Sequence, residues 1–189
     1  MDIFYPTIKR GRLPAMIGVS MIGAILGGIY GALHDQVSYS ISEEYFTKVK
    51  FHQFSYADFG LHPRIFAAEV GFLASAGIGM IVAWFLARLG LTEIPEPPRR
   101  ACTVAAFSIV FLTAIIVGAG GLLVGILRTS SGDLQAWEVW QRALELTNLR
   151  GFVIVAHLHD ASYLGGLLGL VAAAIYVRKN VKRYVTSTL

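Results

Sequence analysis

Residues 101–127 read Ala-Cys-Thr-Val-Ala-Ala-Phe-Ser-Ile-Val-Phe-Leu-Thr-Ala-Ile-Ile-Val-Gly-Ala-Gly-Gly-Leu-Leu-Val-Gly-Ile-Leu, 27 positions without a charged side chain. At 1.5 Å per residue a helix of that length measures about 40 Å, enough to cross a bilayer core of about 30 Å. The period-two alternation of a membrane barrel strand is absent, and Ala, Gly and Leu dominate. The stretch therefore predicts a membrane-spanning helix.

Working outward, three further runs have the same character. Residues 13–34 carry no charge and begin at Leu13-Pro14; residues 64–88 contain a single carboxylate, Glu69, between Arg64 and Arg88; residues 151–177 are broken only by His157, His159 and Asp160. The first run follows Lys9, Arg10 and Arg12, as a secretory signal would, but it has the length of a span and is expected to stay as an anchor. The expected fold class is an all-α integral membrane protein: four transmembrane helices in an up-down bundle, forming one membrane domain over residues 1–189. The whole chain agrees, since 55% of its 189 residues are hydrophobic and only 15% charged, against about a quarter charged in soluble domains. The lone Cys102 excludes an intramolecular disulfide, a CxxC redox pair and a cysteine-rich metal site.

Four spans place both termini on one side. Ten of the 16 Lys and Arg residues fall on that side, with Asp2, Glu93 and Glu96 as its only acids, giving +7 there and −3 opposite. The positive-inside rule then expects cytoplasmic termini and an integral plasma (bacterial inner) membrane location. The net charge of +4 thus reports orientation and lends no support to a nucleic-acid partner. The inner loop, 89–100, is short and rich in proline. The outer loops, 35–62 and 128–150, are each expected to hold a short amphipathic helix. In the first, Ser40 and Glu43 form a capping-box pattern ahead of Tyr45, Phe46, Phe51 and Phe54; in the second, Ser131-Gly132-Asp133 precedes Trp137, Trp140 and Leu144.

Small residues recur every four positions: Gly23, Gly27 and Gly31; Gly71, Ser75, Gly79 and Ala83; Ala161, Gly165, Gly169 and Ala173; and, more weakly, Gly121 and Gly125. In lipid such seams let helix backbones approach closely, either within the chain or against a membrane-protein partner or second copy.

All five histidines fall on the expected outer side. Counting from the inner charged boundary, Asp160 lies about 27 Å out, Glu69 about 28 Å and His34 about 33 Å. Ionisable groups from three spans thus reach one level, where each must be paired, solvated or bound. The candidate metal-ligating set is His34, Asp35, His62, Glu69, His157, His159 and Asp160. Imidazole with carboxylate and no thiolate suits a divalent transition metal such as zinc, iron, manganese or copper(II), with haem or pigment as a weaker alternative. On a helix His157 and Asp160 share a face, whereas His157 and His159 diverge by about 200°. Leu33-His34-Asp35 with Ser38-Tyr39 is echoed by Leu158-His159-Asp160 with Ser162-Tyr163 at the same level, as a paired site would be.

The functional expectation is a metal- or cofactor-binding protein at the extracytoplasmic face. Its alternatives are a polar network that merely ties the loops down, and an accessory subunit docking through the glycine seams and the Trp137/Trp140 helix. A proton or ion transporter ranks lower, because the inner two-thirds of the spans lack titratable groups apart from tyrosine. Hydrolysis ranks lowest, since no Gly-x-Ser-x-Gly segment accompanies the histidines.

Overall fold

The computed structural model describes residues 10–185; Asp2 and Lys9, which enter the charge tally above, lie outside them. Four long helices dominate: α1 (Leu13–Ile41), α2 (Pro63–Arg88), α3 (Pro98–Ser130) and α4 (Leu149–Val185). Each is long and apolar enough to cross a membrane. No strand occurs among the described residues.

The starts have local causes. Proline occupies the first turn of α1, α2 and α3, where its missing N–H is no loss. His62 caps α2 by accepting from Arg64 N at 3.3 Å. At α4, the Asn148 side chain accepts from Gly151 N, and Glu44 reaches across from the first long loop to take Thr147 N, Thr147 Oγ1 and Asn148 N at 2.8, 2.8 and 2.7 Å.

The helices associate as two close pairs. Gly31 lies against Gly71 and Ser75, Gly27 against Ser75 and Gly79, and Gly23 against Gly79 and Ala83, so α1 and α2 run antiparallel along their small-residue stripes. A Cβ at Gly31 or Gly71 would collide with the other residue's carbonyl oxygen. In the second pair, Gly125 meets Ile154, Gly121 meets His157 and Ala161, Gly165 meets Ala114 and Gly169 meets Val110. Side chains with no Cβ let backbones touch, which is the packing available where lipid removes the hydrophobic drive. The predicted seams are thus engaged within the chain.

The two pairs meet mainly at their ends. At the end carrying the termini, Leu86, Leu91, Ile94, Cys102, Ala106, Val110, Ala173 and Val177 form a buried cluster, and Arg12 is ion-paired to Glu93. At the opposite, long-loop end, α1 and α4 exchange polar contacts beneath the loop helices. The outer surface between these ends is apolar; Ile116, for example, is 69% exposed.

Three details differ from the sequence expectation. The helix expected to end near residue 34 continues to Ile41, so His34 and Asp35 sit inside α1. Ser40 is therefore not a cap: its hydroxyl donates to Gln36 O within α1, and Ser42 takes the capping role by accepting from Tyr45 N at 3.3 Å. The loop helix that follows is α-helical at Glu43–Tyr45, widens to a π-helix at Phe46–Lys50 and returns to α at Phe51–Gln53. The second loop helix is confined to Glu138–Leu144 after a 3-10 turn at Gln135–Trp137; Trp137 packs on Phe152 and His157, whereas Trp140 is exposed.

Candidate metal centre

The stripe phases decide which polar groups meet. Asp35 continues the α1 series Gly23-Gly27-Gly31 by one turn and so faces α2, close to Gly71. His157 continues the α4 series Ala161-Gly165-Gly169 backwards and so faces α3, where Gly121 and Gly125 pack on it. His159, two residues on, is rotated about 200° away and faces α1.

There it meets the other half of the sequence echo. The His34 and His159 rings are edge to face with centroids 4.6 Å apart. His34 Nε2 lies 3.2 Å from Ser162 Oγ, and His159 Nε2 lies 3.2 Å from Ser38 Oγ, so each histidine reaches the serine of the opposite segment. Asp35 Oδ1 stands 3.1 Å from His34 Nδ1 and 3.7 Å from His159 Nε2. With neutral rings, His34 donates from Nδ1 to Asp35 and accepts at Nε2 from Ser162; Ser38 donates to the His34 carbonyl and accepts from His159 Nε2. Asp35, Ser38, His159 and Ser162 are buried, and His34 nearly so.

A roof of rings covers this polar centre. The Tyr45 ring is 4.8 Å from His159 and the Phe46 ring 6.3 Å, both supplied by the first loop helix. Burial pushes the Tyr45 hydroxyl well above the ordinary phenol value, so it stays protonated. Beneath the centre lies a cavity between the helix pairs, whose lining includes His34, Asp35 and His159.

The geometry of the centre suits an ion. His34, Asp35 and His159 each offer one ligand atom, and these atoms lie within 4.8 Å of one another. No family model, curated protein or solved structure matches this chain. Chemistry therefore has to carry the reading. Two imidazoles and one carboxylate form an N2O donor set of the kind that holds zinc, iron, manganese or copper(II). Three protein ligands leave coordination positions open, as in catalytic rather than closed structural sites.

The other candidate residues stand elsewhere. His62 is exposed at the start of α2. His157 Nδ1 donates to Val153 O, and its Nε2 is 3.4 Å from Arg128, which is itself paired to Asp133. Asp160 is exposed on the outside of α4. Glu69 is two residues from the Gly71 stripe and so turns away from α1; its Oε2 is enclosed without a hydrogen-bond partner among the described residues. Ser38, Ser162 and Tyr45, which the sequence reading named in the echo and the loop helix but not in the candidate set, complete the surroundings. The echo carried the signal for the serines, because it repeats the serine along with the histidine.

Proposed function

We propose that this protein is a four-span integral membrane protein, its helices crossing up and down with both termini cytoplasmic, that binds a divalent transition metal at His34, Asp35 and His159 near the extracytoplasmic face. The convergence of three ligand atoms from two separate helices within 4.8 Å carries this reading. An ion held there would take one nitrogen lone pair from each imidazole and an oxygen of Asp35, displacing the hydrogen bonds that join these groups to one another and to Ser38 and Ser162. Asp35 contacting both rings supports the same reading, since it would neutralise part of the ion's charge in a buried place.

Elemental analysis tests it. Protein purified in mild detergent without a histidine tag and dialysed against zinc or manganese should retain stoichiometric metal. Replacing His34 and His159 together by alanine should abolish retention, while His157→Ala should leave it unchanged. Metal absent from the wild-type protein, or equally retained by the double variant, would overturn the proposal.

A further inference from the structure

The space between the two helix pairs is about 430 Å³ and is graded in chemistry along its length. Its α1 wall runs from Gly23 to Asp35, about 18 Å of helix. The part toward the terminal end is walled by Gly23, Gly79, Val110 and Leu170, with no ionisable group. Above it Tyr30 and Phe111, whose rings lie 5.5 Å apart, form an aromatic neck; Phe107 lies one turn lower on α3, and Tyr163 higher, one turn from His159 on α4. At the top, Lys50, Ser162 and the His34/Asp35/His159 centre supply donors and acceptors; Lys50 Nζ sits 3.4 Å from the Tyr163 hydroxyl. Ile78, Ile81 and Leu167 line the space and are also exposed on the apolar outer surface, so it opens sideways between α2 and α4.

An occupant must therefore be long, apolar along most of its length, flat where the rings close in, and oxygen-bearing at one end. We propose that this cleft binds a lipid-soluble quinone, its ring held in the aromatic neck, a carbonyl oxygen facing the donors at the top, and its isoprenoid tail in the glycine-walled part and the lateral opening. Charge argues against a phospholipid: its phosphate would lie beside the buried Asp35 carboxylate, with Lys50 as the one cation among the lining residues. A plain hydrocarbon chain would set methylenes against the Lys50 ammonium, which has donors beyond the one it gives the Tyr163 hydroxyl. A neutral head that accepts hydrogen bonds meets both conditions. The inference is independent of the metal, since it rests on the neck, on Lys50 and on the shape of the cleft.

Gly166 makes a clean probe, because it lines the cleft and a Cβ there meets no atom within 4 Å. Gly77 is likewise open around a Cβ but does not line the cleft. Detergent-purified protein is titrated with a benzoquinone bearing a ten-carbon tail, reading thermal stabilisation and retained quinone after gel filtration. Gly166→Phe should weaken binding at least about tenfold, and Lys50→Met several-fold, with Gly77→Phe as wild type and metal retention unchanged in all three. If Gly166→Phe does not accumulate as folded protein, Ala74→Phe fills the same space from α2. Equal quinone binding by Gly166→Phe and Gly77→Phe, no binding by the wild type, or retention of phospholipid in place of quinone would each overturn the inference. Loss of metal with quinone binding intact would count against the metal centre alone.

Discussion

Asp35 and Asp160 each follow a histidine in the same tripeptide, yet one is buried between two imidazoles and the other is exposed. The difference arises from helix phase: Asp35 falls on the stripe that α1 turns toward α2, and Asp160 lies off the small-residue stripe of α4. Removing the Asp35 charge should therefore weaken metal retention by about tenfold or more, as loss of a ligand or of its supporting carboxylate does. Asp160→Asn should change it by less than about twofold. Competition with a chromogenic chelator measures both, and equal effects would mean that burial does not distinguish the two. Sequence reasoning brought both residues to one level but paired His157 with Asp160, because i and i+3 share a face. The stripe Ala161-Gly165-Gly169 had already committed the His157 face to α3, and only its phase shows that His159 is the histidine free to meet α1.

At the scale of elements, the four long apolar helices and their seams were legible, because uncharged length and the four-residue spacing of small side chains are local properties of the chain. The pairing of stripes was not, since any small-residue stripe can accept any other; the structure joins α1 to α2 and α3 to α4. Gly79→Leu tests the first junction, where a Cβ would collide with the Gly23 carbonyl oxygen. It should cost about 1–3 kcal/mol, seen as a lower Tm in detergent, while Gly77→Leu should be tolerated. The capping of α4 by Glu44 was illegible for a different reason, as the donor and acceptor lie 103 residues apart. Burial works to raise the Glu44 carboxyl, but hydrogen bonds from Thr147 and Asn148, with Lys48 nearby, outweigh it and hold the value below the ordinary one. Because the folded value is depressed, the stabilisation is complete at pH 6–7 and fades only as pH falls below the ordinary value of about 4.3 and through the folded one. Glu44→Gln should thus lower stability at neutral pH, by about 1 kcal/mol once solvent screening of these exposed bonds is allowed for, and the gap from wild type should close in acid. A gap that stays constant from pH 7 to pH 3 would show that the carboxylate charge plays no part.

For the whole molecule, the polar centre lies opposite the more basic end, although Lys48, Lys50, Arg64, Arg128, Arg142 and Arg150 share the long-loop end with it. Arg88, Arg99, Arg100, Arg178, Lys179 and Lys182 gather at the terminal end, whereas His34, Asp35 and His159 lie at the long-loop end. By the positive-inside rule, the candidate metal centre and the polar end of the cleft should face away from the cytoplasm. Two exposed positions can decide this: Gln53 in the first long loop and Arg100 at the start of α3. Cys102 is buried in the terminal-end cluster, so Cys102→Ser gives a background free of competing thiols. On that background Gln53→Cys should react with a membrane-impermeant thiol reagent on intact cells, and Arg100→Cys only after permeabilisation. The reverse labelling would turn the protein over in the membrane. The His34/Asp35/His159 geometry would survive that result, but its ion would then come from the cytoplasm, and the lateral opening between α2 and α4 would admit its occupant from the same bilayer in either orientation.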